Sequence, residues 1–195
     1  MDELDNNRMR PERGNQPGFS MIELLIVIAI VVVIVAIAIP NLLRSKVAAN
    51  EASAIGSLRN IMSAEAAYKA MYGVGYSNDL AAIGGTSTTD AQPSCTAAQL
   101  LDPSLAKNLI GNKTQKSGYE FTFTPGKEAF KPDEPAPSGC SVGKGDGYVV
   151  QADPVDSEAG KRHFCADASG VIRFDTNREI DVTAPVCAGS APPLQ

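Results

Sequence analysis

The sequence has no tryptophan, one histidine and no cysteine pair spaced C-x-x-C. A zinc site built from the usual Cys and His ligands needs closer spacings than these. His163 sits on a predicted strand beside Phe164 without a paired nucleophile, so it reads as a packed or surface residue and not as a general base. Positive charge is scarce too: 17 Lys and Arg stand against 22 Asp and Glu, a net charge of −5. Removing the first 18 residues leaves 14 basic and 18 acidic side chains, a net of −4. A phosphate-binding face needs clustered Lys and Arg, so nucleic acid is disfavoured as the main partner.

Long apolar runs are missing everywhere but in one place. Residues 24 to 39 read LLIVIAIVVVIVAIAI, sixteen apolar residues without a break. With Met21, Ile22 and Glu23 the stretch gives roughly 28 Å of helix, close to the ~30 Å of a bilayer core. It is too long and too uniformly apolar for the core helix of a soluble protein. A secretory signal peptide would be shorter and would be cut after its apolar region. Val47-Ala48-Ala49 does follow, but cleavage there would discard the whole run. A better cleavage signal precedes it, at Pro17-Gly18-Phe19-Ser20. Arg8, Arg10 and Arg13 before the span, against Arg44 and Lys46 after it, favour a cytoplasmic N-terminus.

The four cysteines, Cys95, Cys140, Cys165 and Cys187, support that orientation. An even count in an exported domain reads as two disulfides in an oxidising compartment, with three connectivities open. The sequential pairing, Cys95–Cys140 and Cys165–Cys187, is the preferred one.

Glu23 lies inside the apolar block. A carboxylate at the centre of a membrane helix costs ~2.5–3.5 kcal/mol, less near an end. A snorkelling surface Glu is the plain explanation. The functional one uses the cleavage. A cut after Gly18 leaves Phe19 with a free α-amino group, and Glu23 becomes the fifth residue, beside a positive helix N-terminus. Between subunits, that carboxylate can pair with a neighbour's ammonium and set axial register, a role attested for polar groups in apolar helix bundles.

The run Gly18-Phe19-Ser20-Met21-Ile22-Glu23-Leu24-Leu25-Ile26-Val27 resembles the class III signal of type IV pilins and type II secretion pseudopilins. Pro40-Asn41-Leu42 also fits that family. The resemblance implies cleavage by a prepilin peptidase after Gly18 and N-methylation of Phe19. It implies a self-assembling filament subunit that works with an assembly platform, in the inner membrane before assembly. Afterwards the place is an extracellular pilus or a periplasmic pseudopilus. Major pseudopilins often carry Asp-Pro-Trp-Gly before a calcium loop. With no tryptophan that signature is absent, which moves the resemblance toward a pilin proper.

After Pro40, predicted to kink or loosen the helix, apolar residues recur at helical spacing: Val47, Ile55, Leu58, Ile61, Met62, Tyr68, Met71 and Tyr72. This predicts an amphipathic continuation with one buried stripe. Tyr68, Tyr72 and Tyr76 are packing residues on this reading, not a cofactor path. Gly73 is the expected stop. The expected organisation is a leader over 1–18, a membrane and filament-core helix over 19–45, its amphipathic continuation over 46–72, and a globular head over 73–195.

The expected fold class is α+β, with an antiparallel sheet laid on the second half of the long helix, as in pilins. Residues 77 to 115 read as a connecting region. Within it Gly84 to Thr89 form a surface loop, Thr96 to Leu101 look helical, and Asp102-Pro103 opens a short helix to about Ile110. Tyr119 to Thr124 alternate as a half-buried strand, and residues 125 to 147 form a long loop. Tyr148 to Ala152 form a second strand. Residues 162–166 and 171–174 form a hairpin turned at Gly170. That makes about four strands, with a loop-like tail after Ile180 tied by Cys187.

No catalytic constellation or cofactor site emerges. Asp175, Asn177, Glu179 and Asp181 match no calcium-loop spacing and read as a solvated turn. Gly143-Lys144-Gly145-Asp146-Gly147 lacks the strand–loop–helix setting and the Lys-Ser/Thr ending of a phosphate loop. The leading function is therefore a structural pilin. A pseudopilin is the alternative, and a membrane-anchored exported binding domain the second alternative.

Overall fold

The computed structural model describes residues 18–85, 92–106, 109–132, 135–176, 180, 182–183, 186–187 and 192–194. The chain divides into two compact units, Met1–Asn41 and Leu42–Gln195. One helix, α1 (Met21–Tyr72), contributes to both.

In the first unit, α1 opens where the Leu24 N–H donates to the Ser20 carbonyl at 3.2 Å. Every described residue through Asn41 is exposed. The helix runs on through Pro40. One turn back, the Ile37 carbonyl accepts a hydrogen bond from the Asn41 side-chain amide at 3.2 Å.

In the second unit α1 changes character. Its buried positions are Glu51, Ala54, Ser57, Leu58, Ile61, Ala64, Glu65 and Tyr68. They recur every three or four residues, one stripe of a 3.6-residue helix. Leu58, Ile61 and Tyr68 are the expected stripe residues found at its centre. Met71 is not part of the stripe and stays exposed. Small alanines, not only large side chains, make the contact, because they let the sheet approach the helix closely. Gly73 ends α1 in the left-handed region (φ +64°), with its N–H on the Lys69 carbonyl at 3.1 Å; this conformation strains any residue with a Cβ.

Two short helices follow, α2 (Leu80–Gly84) and α3 (Pro103–Ala106). The strands are β1 (Lys113–Lys116), β2 (Tyr119–Pro125), β3 (Tyr148–Pro154), β4 (His163–Asp167) and β5 (Ile172–Asp175), with a small pair β6 (Val182–Thr183) and β7 (Val186–Cys187). Strands β1 to β5 form one antiparallel sheet in sequence order. Alternation decides its two faces. Tyr119, Phe121 and Phe123 of β2, Val150 and Ala152 of β3, and Phe164 and Ala166 of β4 pack with Leu58, Ile61 and Tyr68 in the main core. Val149 and Cys165 point the other way and are buried with Ile180 and Cys187.

Several expectations need correction. Residues 96–101 are not helical. Ser94 and Ala97 close a tight turn, and the next residues pass beside α2 with Gln99 in the left-handed region (φ +55°), Ala98 N–H on the Ala82 carbonyl at 2.8 Å and Leu100 N–H on the Ile83 carbonyl at 2.9 Å. Apolar spacing over so short a segment does not distinguish a helix from chain pinned by a neighbour. The sheet has five strands, not about four. Its extra strand, β1, lies in the supposed connecting region, where the sequence Lys-Thr-Gln-Lys carries no apolar alternation to announce an edge strand. The tail contains the β6–β7 pair rather than loop alone.

The Asp102 cap of α3 is where the sequence places it, accepting from the Ser104 N–H at 2.7 Å. The helix is shorter than the expected run to about Ile110: α3 is Pro103–Ala106, and Ile110 instead pairs with Lys113 in a β-bridge. Of the Gly84–Thr89 loop, residues 86–89 lie outside the described residues, as do Asn177, Glu179 and Asp181. The glycine run at 143–147 serves backbone pairing. Gly143 donates to the Val74 carbonyl at 2.8 Å, and an added Cβ there would meet the Tyr76 carbonyl oxygen at 1.9 Å.

Candidate functional site

Gly18 and Phe19 precede the first turn of α1 in non-helical chain, and the Phe19 side chain is 83% exposed. The peptide bond between them lies outside the helix. Glu23 lies in the first turn of α1 and is exposed. A negative charge in the first turn of a helix, near its unsatisfied N–H groups, is favoured by ~0.3–1 kcal/mol. From Met21 the helix presents apolar side chains on all sides, with mean hydropathy 3.4 over its most apolar window and none of that window buried. Leu24, Ile28, Val32 and Val35 are all exposed, although each would be a core residue in a soluble fold.

Residues 13–39 match the family model described as the prokaryotic N-terminal methylation motif. The chain carries a prepilin signal. That signal marks a type IV pilin-like or pseudopilin precursor, which is handled by a prepilin peptidase and built into filaments. It fits membrane anchoring of the apolar helix before assembly. No curated protein matches the chain. Residues 1–17, including Arg8, Arg10 and Arg13, lie outside the described residues.

In the second unit, side-chain contacts hold α1 to the head. Glu51 accepts from Arg162 Nε and Nη2, both at 2.7 Å, and from the backbone N–H groups of Lys161 at 3.1 Å and Arg162 at 3.3 Å. The same guanidinium lies 5.5 Å from the ring centres of Phe164 and Phe174. Asn50 donates to the Ala159 carbonyl at 2.8 Å, and Asn60 accepts from the Asp102 N–H at 3.0 Å. Tyr68 donates to the Cys95 carbonyl at 2.8 Å.

Glu65 is wholly buried. Its carboxyl meets the Ser77 hydroxyl and accepts from the Ser77 N–H at 2.9 Å. Burial pushes it up to about 7, against the lowering effect of the two Ser77 hydrogen bonds, with the Asp79 charge adding to the rise. Sequence reasoning passed over Glu51 and Glu65. The signal for both was there: acids spaced to fall on the apolar stripe of a helix are bound to be paired or neutral.

The disulfides join Cys95 to Cys140 and Cys165 to Cys187. The first ties the segment after α2 to the long loop. The second fastens the C-terminal segment to the outer face of the sheet. Two further bonds hold that segment: Gln151 Nε2 donates to the Ile180 carbonyl at 2.7 Å, and the Cys187 N–H donates to Asp167 at 3.0 Å. His163 Nδ1 lies 2.7 Å from Asp153 Oδ1 on the neighbouring strand. Asp175 is the register partner of His163 on β5. No cluster of three metal-ligating side chains occurs among the described residues.

Proposed function

We propose that the chain is the structural subunit of a type IV pilus filament. A prepilin peptidase cuts after Gly18, the new Phe19 amine is N-methylated, and the subunit leaves the inner membrane to polymerise through its apolar helix. The reading makes 1–18 the cleaved leader, 19–45 the membrane and filament-core helix, 46–72 its amphipathic continuation and 73–195 the head. The partners are further copies of the chain, the peptidase and methyltransferase, and the assembly platform. Pro40 is the point where the helix yields when lipid is exchanged for neighbouring helices.

The observation that carries this is the prepilin signal running into an apolar helix that is exposed on every side, with one carboxylate, Glu23, in its first turn. Such a surface needs lipid or other copies of itself. The lack of the Asp-Pro-Trp-Gly signature favours a pilus over a pseudopilus. Mass spectrometry of the native N-terminus tests the processing: a chain beginning at methylated Phe19 is expected. A chain still beginning upstream of Phe19, in cells with an active peptidase, overturns the reading. Imaging then separates pilus from pseudopilus: long surface fibres containing this chain support the first, and their absence during active secretion supports the second.

A further inference from the structure

The five-stranded sheet ends at β5, and the C-terminal segment lies on that edge. Cys187 is buried on the outer face of the sheet, held by its disulfide to Cys165 and by its N–H on Asp167. Leu194 packs against the main core on the opposite face, as Phe174 of β5 does. Between these two anchors the segment pairs with β5. The Phe174 N–H donates to the Pro192 carbonyl at 3.2 Å, and the Leu194 N–H donates to the Ile172 carbonyl at 2.7 Å. Pro193 stands opposite Arg173 in an antiparallel bridge.

This hold is short. A complete antiparallel pair would return a bond from residue 192 to Phe174, but Pro192 has no N–H to give. Pro192 and Pro193 are exposed, so the partly buried Leu194 is the side-chain anchor. Both prolines fix φ near the extended range, which lowers the entropy lost when the segment pairs with any edge. The Pro193 backbone faces away from β5 and offers no donor to a further strand. The segment therefore pairs on one side and ends the sheet on the other.

We propose that the β5 edge is a strand-exchange surface between copies of this chain, filled by residues 192–194 of a second copy. In exchange the segment makes the same two hydrogen bonds and the same Leu194 contact, so no contact is lost. The prolines choose this occupant over an unrelated strand. A strand with N–H groups on both sides would leave an open edge that recruits further chains. Cys187 is fixed by its disulfide, and the seven residues from there to Leu194 span at most about 25 Å. A neighbouring copy whose β5 edge lies within that reach is a partner, and the result is a strap between two heads. Only two copies side by side are needed, so the exchange does not depend on polymerisation or on the choice between pilus and pseudopilus.

Two full-length variants with different tags, expressed together in one cell, test this. One carries Arg173→Cys and the other Pro193→Cys. The two positions face each other as a non-hydrogen-bonded pair, whose Cα atoms stand about 4.5 Å apart, a separation that a disulfide spans. A covalent dimer bearing both tags is expected on a non-reducing gel, with the link mapped by mass spectrometry to positions 173 and 193. Removing residues 192–195 from the Arg173→Cys copy should raise the dimer yield roughly tenfold, because that copy's own tail no longer competes for its edge. Ser169→Cys in place of Arg173→Cys puts the thiol in the turn before β5, and should give no dimer.

Absence of the mixed dimer, while the double variant Arg173→Cys/Pro193→Cys closes within one chain, overturns the exchange and leaves the tail a strap of its own subunit. An equal yield from the Ser169→Cys copy would mean random collision and overturns it as well. A double variant that never closes overturns the β5 pairing itself. Imaging of the native chain separates this from the filament reading. Fibres without the mixed dimer keep the pilus and sink the exchange, and the mixed dimer without fibres does the reverse.

Discussion

Glu51 and Arg162 stand 111 positions apart in sequence and meet at 2.7 Å, one on the helix and the other at the start of β4. The carboxylate is nearly buried while the guanidinium is about one-third exposed. Glu51 therefore depends on its partners more than Arg162 does. Removing the arginine leaves a buried carboxylate with only two long backbone hydrogen bonds. Arg162→Ala is expected to cost about 1–3 kcal/mol, the range for a buried charged group losing its strongest partner. Glu51→Gln should cost less, because the amide oxygen still accepts from the backbone and no charge is stranded. Denaturant unfolding of the full chain in detergent checks the order. Equal losses for the two variants would refute the argument.

A second prediction concerns acidity. The Glu65 carboxyl titrates at about 7 in the folded chain against an ordinary 4.5. Its raised value means the folded state holds the proton more tightly than the unfolded one. This contribution to stability is fully present below pH 4.5 and is lost as pH rises through about 7, with a ceiling of about 3 kcal/mol. Burial sets the sign, and the Ser77 hydroxyl and N–H, which both donate to the Glu65 carboxyl, work against it without reversing it. Glu65→Gln can make the same bonds at any pH. Its melting temperature should therefore fall less than that of the native chain between pH 5 and pH 7.5, about the window the two values set. Parallel curves would sink the claim.

How much of this was legible in the sequence differs by region. The apolar block and the methylation motif around it could be read directly, because both are set by local sequence alone. Strand β2 was also legible, since Phe121 and Phe123 alternate with Glu120, Thr122 and Thr124, and the β4–β5 hairpin was marked by its turn at Gly170. What escaped was set by distant partners. β1 is a strand because Thr114 pairs with Phe121 and its hydroxyl reaches the Leu105 carbonyl at 2.6 Å. The Glu51 and Glu65 contacts need residues from other elements, Arg162 and Ser77. Periodicity marks the stripe on which those acids fall but names no partner for them.

The Cys165–Cys187 bond spans 22 positions and holds the C-terminal segment over Val149 and Gln151. Closing a loop of that length is worth ~3 kcal/mol in chain entropy. The Cys165→Ala/Cys187→Ala pair should lose about that much stability. Hydrogen exchange should show where: amides of β6, β7 and residue 180 should speed up first, while Phe121 and Phe123 stay protected. Equal acceleration across the sheet would mean that the segment supports the whole core and not one face of it.

The last prediction returns to Glu23. Its carboxylate sits in the first turn of α1, exposed, on a segment whose described apolar residues through Asn41 are all exposed. Transferred from lipid to a bundle of identical helices, it meets either hydrocarbon or another subunit's Phe19 ammonium. The first is costly and the second favourable, so the pair rewards one axial stagger over all others. The proposed cleavage of the Gly18–Phe19 bond, four residues away, does not need that pair. Glu23→Ala should therefore be cut and methylated normally yet assemble at about a tenth of the native level or less, the effect of ~1.4 kcal/mol or more per subunit contact. Glu23→Asp, one methylene shorter, should recover part of the assembly. Normal fibres from the alanine variant would show that helix packing alone sets the register.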